Sequence, residues 1–397
     1  MKPKGIRVGS RGAHHGGPMP LSHFARRTAA LTAALGLALA CRADDPVPIK
    51  VDTGEINGAQ YAIANPPGEW NHRLLLLAHG YRPDGSPLVA DLHPERASIK
   101  EALDGGWLVA TSSYRRNGMI IGDAIADLDA LKDYISKQYG VPERIVLEGE
   151  SLGGLVVTLM AERDETAYSG AIAFDPTMYA KEPNGLVGIS LLPRMPLLFV
   201  ATFREALQPM RYQTALVARP PPVVPPVLFV IQREGHDNIN QPEHIEVFNA
   251  MNAWLDHGPD ALPRPKDQAQ YYDATVAPDP GPSTSVIHAD SHALDTRVAE
   301  VDAVYGNVLL EAQAKDFEDA GIPLMTFFTF EAGGKAYHTL YGRTYSDVKK
   351  GEWVAFADAD GRTVLSRYLG DGAATAKLTP GKALTLAAVN PGVEPSH

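Results

Sequence analysis

Apolar and polar positions follow one grammar up to about residue 257 of this 397-residue chain and another beyond residue 287. In the first part, short apolar runs alternate with amphipathic stretches. Residues 73–78 (RLLLLA) are an unbroken apolar run, which predicts a strand buried on both faces. Residues 107–112, 145–147, 170–174, 197–201 and 227–231 read the same way, and residues 47–52 and 60–64 predict an opening antiparallel pair. Helical periods lie between them. Residues 95–103 predict a short helix, and 121–138 carry Ile121, Ile125, Leu128, Leu131 and Ile135 at spacings of three and four. Pro242 opens a last helix with Val247, Phe248, Met251, Trp254 and Leu255 on one face. Strands alternating with helices predict an α/β domain over residues 46–257, with a doubly wound, mostly parallel sheet.

Two stretches interrupt that rhythm. Residues 177–196 contain Met178, Tyr179, Leu186, Ile189, Leu191 and Leu192, and fit either a small lid or an ordinary packed loop. Pro220, Pro221, Pro222, Pro225 and Pro226 predict a stiff entry into the last strand. Residues 258–287 are polar and proline-rich, the composition of a linker. Beyond them, runs at 327–330, 353–356, 363–368 and 383–388 are separated by Asp360-Gly361, Asp371-Gly372 and Pro380-Gly381. Short strands joined by such turns predict a small β-rich, barrel-like accessory domain over 288–397.

Charge changes the picture at the N-terminus. The first forty residues hold six basic residues and no acid, and end in a 13-residue apolar stretch closing with Ala38-Leu39-Ala40. That length is too short to span a bilayer and suits a signal peptide. Cys41, the only cysteine, follows directly, so two fates are open: a lipid anchor on Cys41 or plain secretion. The expected location is outside the cytoplasm: periplasmic, extracellular or lipid-anchored. One cysteine allows no internal disulfide. Removal of the six basic residues takes the net charge from −11 to −17, which argues against nucleic acid as a partner.

The candidate chemistry centres on Gly149-Glu150-Ser151-Leu152-Gly153-Gly154. This is G-x-S-x-G between a predicted strand and a predicted helix, the nucleophile elbow. Ser151 is the candidate nucleophile, and the helix start turns amide dipoles toward it. His236, in the loop after the last strand, is the candidate base. Glu205, four residues past the strand end at Ala201, is the candidate orienting acid, with Asp175 as the alternative. The amides of Leu152 and Tyr81 are the candidate oxyanion donors, Tyr81 standing in His79-Gly80-Tyr81 after the 73–78 strand. Tyr114 and Arg115 fit either substrate contact or loop anchoring; with Glu150 they form the candidate substrate-binding set. His288, Asp290, His292 and Asp295 are ligand-type residues at the linker end, and Asp358-x-Asp360-Gly361 lacks the later Glu of a calcium loop. No metal and no cofactor are expected.

Residues 70–256 resemble bacterial α/β-hydrolases of the secreted esterase and prolyl-oligopeptidase-like kind. The resemblance is carried by His79-Gly80-Tyr81, Ser113-Tyr114-Arg115, Gly149–Gly154, Ala171–Asp175 and Gly235-His236. It implies Ser151, Glu205 and His236 as a triad and no cofactor, but does not fix the substrate; a small-molecule ester is the substrate expected under the first of the functions below. The tail resembles the C-terminal β-domain of the S-adenosylmethionine hydroxide adenosyltransferases. That likeness is carried by Val301–Val308, by Tyr345-Ser-Asp347-Val348 through Trp353, and by Gly370–Ala374 before Leu378 and Gly381. There Tyr305 and Asn307 match the family's Phe-Gly-Asn element, and the likeness implies a nucleoside-type or oligomerising role, including a homo-oligomer. Three functions follow: an exported esterase with an aromatic or bulky apolar substrate, a prolyl-oligopeptidase-like serine peptidase, and a binding or scaffolding protein.

Overall fold

The computed structural model describes residues 48–163, 167–183, 185–216, 223–262, 271–272 and 281–389. The expected leader, Cys41, Pro220, Pro221, Pro222 and most of the expected linker lie outside the described residues.

The first hairpin pairs β1 (Val51–Ile56) with β2 (Ala59–Ala64). Asn57 and Gly58, both at positive φ, make its two-residue turn. The opening strand therefore starts four residues later than its apolar pattern suggested, because register is set by that turn. There follow β3 (Arg73–Ala78), α1 (Ala97–Asp104), β4 (Leu108–Ser112), α2 (Ile121–Gln138), β5 (Arg144–Glu150), α3 (Leu152–Ala161) and β6 (Gly170–Phe174). A small hairpin, β7 (Lys181–Glu182) and β8 (Gly185–Leu186), precedes β9 (Leu197–Thr202), α4 (Leu207–Leu216), β10 (Val227–Ile231) and α5 (Gln241–His257). β11 (Tyr271–Tyr272) lies within the stretch expected as linker and pairs in parallel with β10.

The sheet order is β1-β2-β4-β3-β5-β6-β9-β10-β11, with β2 antiparallel to β4 and all strands from β4 onward parallel. This is the α/β-hydrolase fold. The apolar run of β3 is explained by its two faces. Leu74 and Leu76 join the core under α2 and α3, while Leu75 joins the opposite core under α1 and α5. Helix α5 begins in a capping box: Asn240 accepts from the Glu243 amide and Glu243 accepts from the Asn240 amide. The helix α4 was not legible in the sequence, being polar and holding Pro209 in its first turn, where proline is tolerated.

The C-terminal part is a closed barrel. Its elements are β12 (Val286–His288), β13 (Ala293–Val301), β14 (Val308–Leu310), α6 (Ala314–Asp319), β15 (Thr326–Ala332), β16 (Lys335–Tyr341), β17 (Trp353–Ala357), β18 (Thr363–Arg367), α7 (Gly372–Ala376) and β19 (Ala383–Ala388). Seven strands run β13-β14-β18-β17-β16-β15-β19 and close by pairing of β19 with β13, while β12 extends one end of β13. Side chains alternate: Phe328 and Phe330 of β15 are fully buried while Phe327 is exposed. Phe317 of α6 plugs this interior, stacked on Tyr341 at 4.5 Å and edge-on to Phe328 at 5.5 Å. Asp358 accepts from the amides of Asp360 and Arg362, so Asp358-x-Asp360-Gly361 is the β17–β18 turn.

The barrel meets the α/β part at the carboxyl ends of its strands. The Gln241 amide, at the start of α5, donates to Asp360 Oδ1 at 2.9 Å. Tyr305 and Thr344 approach the loops after β3 and β10.

Candidate active site

Ser151 sits between β5 and α3 at φ 53°, ψ −113°, a conformation in which a non-glycine residue is strained. Its neighbours explain how the strain is held. A Cβ at Gly149 would lie 2.3 Å from Gly153 O, one at Gly153 2.0 Å from Ala78 O, and one at Gly154 2.9 Å from the Pro176 backbone. The elbow therefore closes only with glycine at these three positions. The Ser151 amide donates to Phe174 O at 2.9 Å and its carbonyl accepts from Thr177 at 3.0 Å, pinning the turn to the end of β6. Leu152 opens α3 beside the serine, and Gly80 packs over it: a Cβ there would be 3.5 Å from Ser151 Cβ. The Tyr81 side chain, next in the chain, is 37% exposed.

His236 lies 85 residues from Ser151 in sequence, and its Nε2 is 2.7 Å from Ser151 Oγ. The loop that carries it is braced from three directions. Arg233 is bridged to Glu243 at 2.9 Å and donates to Asn238 O. Thr202 Oγ1, at the end of β9, donates to Gly235 O at 2.8 Å. Gly235 turns the chain at φ 112°. Partial desolvation pulls the imidazole pKa below its ordinary 6.5, opposed by the charges of Glu205 and Glu150, so the neutral ring is favoured.

Three carboxylates surround this ring. Glu205 Oε1 is 3.8 Å from Nδ1, the nitrogen that faces away from the serine. Asp237 Oδ2 is 3.4 Å from Nε2, and partial desolvation together with the nearby Glu150, Asp175 and Glu205 carboxylates pushes its pKa well up. Asp175 is fully buried at φ 35° and accepts from the amides of Thr202 (2.7 Å) and Asp237 (2.8 Å). Burial pushes Asp175 up to about 7 against those hydrogen bonds. Asp175 thus ties β9 to the histidine loop, while Glu205 faces the free imidazole nitrogen. Ligand atoms of Asp175, His236 and Asp237 fall within 4.8 Å of one another, but both Asp175 oxygens already hold backbone N–H groups.

Tyr114 and Arg115, open in the sequence between substrate contact and loop anchoring, are placed as anchors by their packing. Tyr114 was a candidate substrate contact, yet it is 1% exposed, at φ 54°, stacked on His79 at 3.9 Å. Arg115 was another; its guanidinium and its amide are held by the buried Asp127 carboxylate. Both anchor the loop after β4. Glu150 does face the crevice, 3.9 Å from His244 Nε2. The apolar stretch 177–196 is divided: Met178 is buried and Val187, Ile189 and Leu191 lie against the main core, while Tyr179 and Leu186 are exposed. The packed-loop reading fits the buried part of this stretch, and none of its described apolar side chains is in the lining of the two crevice cavities.

The crevice walls come from both parts of the chain. A cavity of about 380 Å³ is lined by Gly80, Arg82, Arg96, Glu150 and His244 from the α/β part and by Tyr305 from the barrel, among others. A second, of about 230 Å³, shares Arg96, Glu150 and His244 and adds His236 with Arg343 and Tyr345 of the barrel. His244, Arg82 and Thr202 were missed in the sequence. Only His244 carried a signal: it lies three residues before Val247 on the predicted apolar face of α5.

Residues 296–385 match the family of the SAM hydroxide adenosyltransferase C-terminal domain, less than half of the chain. No curated protein sequence matches. Among solved structures, an uncharacterised conserved protein from Thermotoga maritima is 19% identical at a TM-score of 0.25 over 34% of this chain and 48% of its own. Est1E from Butyrivibrio proteoclasticus is 15% identical at 0.35, over 53% of this chain and 98% of its own. The Porphyromonas gingivalis dipeptidyl peptidase 4 is 13% identical at 0.41, over 53% of this chain and 36% of its own. The chain thus spans about half or less of the first and third of these, and function must be argued from the site residues themselves.

Proposed function

We propose that the chain is an exported serine hydrolase acting on carboxylic esters, with Ser151 as nucleophile and His236 as base. The observation that carries this reading is the 2.7 Å approach of His236 Nε2 to Ser151 Oγ at the strained elbow. His236 takes the hydroxyl proton as Oγ bonds to the ester carbonyl carbon. The tetrahedral oxyanion meets the amides of Leu152 and Tyr81. The C–O bond to the alcohol then breaks, and imidazolium returns the proton to the leaving oxygen. Water, deprotonated by the same nitrogen, attacks the acyl-enzyme; the acid leaves and Oγ regains its proton. Glu205, 3.8 Å from Nδ1, is the acid that steadies the imidazolium, at a separation that shortens as charge develops. A cavity of about 380 Å³ walled by a second domain suits a small molecule better than an extended peptide, which favours ester over peptide cleavage.

Fluorophosphonate labelling tests the reading. Label should go to Ser151 and be lost in Ser151→Ala, with p-nitrophenyl acetate turnover falling to background. Label on another residue, or turnover retained by the variant, would reject it. A second reading, that the barrel binds a nucleoside-type ligand or assembles copies of the chain, draws on the family match at residues 296–385. Equilibrium dialysis with adenosine and sedimentation of the full chain address its two halves.

A further inference from the structure

Arg82, two residues after Gly80, is 2% exposed. One guanidinium nitrogen donates to Val89 O, and the group lies against the Tyr305 hydroxyl delivered by the barrel. Its Nε is buried without a partner. Among the described residues no carboxylate lies within ion-pair distance of it. A guanidinium cannot shed its proton to escape burial, and the charge of Asp91, on the same wall, acts on this one only from beyond ion-pair distance. This cation lines the cavity of about 380 Å³, whose wall includes Gly149 and Glu150, just before Ser151 in the chain, but not Ser151 itself.

The acids of the same wall are already engaged. Asp91 is paired with His93 at 2.9 Å, and Glu148 lies 3.5 Å from His244 Nδ1. Asp302 accepts from the amides of Val304 and Tyr305 at 2.7 and 3.1 Å. Glu150 approaches His244, leaving Glu300, which is exposed at the rim. Arg96, also on the wall, has no carboxylate of the described residues in ion-pair range. Two guanidinium groups of this wall, those of Arg82 and Arg96, thus have no carboxylate of the described residues within ion-pair distance. A Cβ placed on Gly80 would lie 3.5 Å from Ser151 Cβ and 3.8 Å from the Tyr305 hydroxyl, so this spot is a short spacer from the reacting serine.

The geometry points to Arg82, with the Tyr305 hydroxyl, as a receptor for a carboxylate on the substrate, making the ester cleaved at Ser151 an anionic one. This rests on the serine hydrolase reading and adds the substrate class. The carboxylate sits on either the acyl or the alcohol side, and two probe pairs separate these. Mono-p-nitrophenyl succinate against its methyl ester tests the acyl side; 4-acetoxybenzoate against its methyl ester tests the alcohol side.

The wild type should favour the acid over the methyl ester in one pair by about 10- to 100-fold in kcat/KM, mainly through KM, the range of a hydrogen bond to a charged group. In Arg82→Gln that ratio should collapse toward one, whereas Arg82→Lys, which keeps the charge but loses the planar fork, should retain part of it. Tyr305→Phe should lower it several-fold, and covers the case in which both Arg82 variants fail to fold. Absence of preference in both pairs overturns the inference, as does a preference that Arg82→Gln and Tyr305→Phe leave unchanged. Fluorophosphonate labelling keeps the two readings apart. Labelled enzyme that turns over the neutral esters without preference rejects only the carboxylate site, whereas no label and no turnover rejects the hydrolase reading and this inference with it.

Discussion

His236 has a depressed pKa because the protein around its half-exposed ring partly desolvates it, with Glu205 and Glu150 pulling the other way. Only the neutral ring accepts the serine proton, so kcat/KM should rise with pH along an acid limb whose midpoint lies below 6.5. Removing the Glu205 charge removes a raising influence, so Glu205→Gln should move that limb further to the acid side, as a pH profile would register. The same depression has a stability consequence. Between the folded value and the ordinary 6.5 the unfolded chain binds more protons, so this residue's contribution to stability is full above 6.5 and is lost as pH falls through the folded value. Glu205 and Asp175 separate by their partners. Glu205→Gln should lower kcat by about 100-fold or more while thermal unfolding stays put. Asp175→Asn exchanges an acceptor for a donor facing the Asp237 or Thr202 amide, so it should lower the unfolding temperature as well. A larger kcat loss with unchanged unfolding in Asp175→Asn would reverse the assignment.

At the scale of elements, the elbow depends on close approach of three pieces of backbone. The Gly153 position touches β3 through Ala78 O, so β3, β5 and α3 are locked at one point. Gly153→Ala places a methyl group 2.0 Å from that oxygen and should cost about 3 kcal/mol, seen as a lowered denaturation midpoint. A midpoint within error of the wild type would mean that the turn yields more easily than its packing indicates. The loop after β10 is different in kind. It is shaped by Thr202, Asp175 and the Arg233–Glu243 bridge, groups drawn from four separate places in the chain. Its conformation therefore depends on the assembled sheet.

At the scale of the molecule, three apolar cores divide the work: one on each face of the sheet and one inside the barrel. The barrel core shares no residue with the other two, so Phe317→Ala should destabilise the barrel by about 3–5 kcal/mol. Calorimetry should show that loss in one transition, with labelling of Ser151 as fast as in the wild type where both parts remain folded. The sequence by itself determined what local rules can encode. Uninterrupted apolar runs gave the parallel strands, since burial on both faces leaves no alternation. The period of α2 gave its bounds, and glycine spacing marked Ser151, since a tight turn needs small neighbours wherever it occurs. Tertiary structure alone decided which polar residues met. Tyr114 and Arg115 follow a strand end much as a pocket residue would, yet packing on His79 buried the first and pairing with Asp127 tied the second, partly exposed, to α2. Arg82 looks like any loop arginine until the barrel lays Tyr305 against it. Burial and proximity between distant segments depend on three-dimensional closure, and closure leaves no periodic trace in the chain.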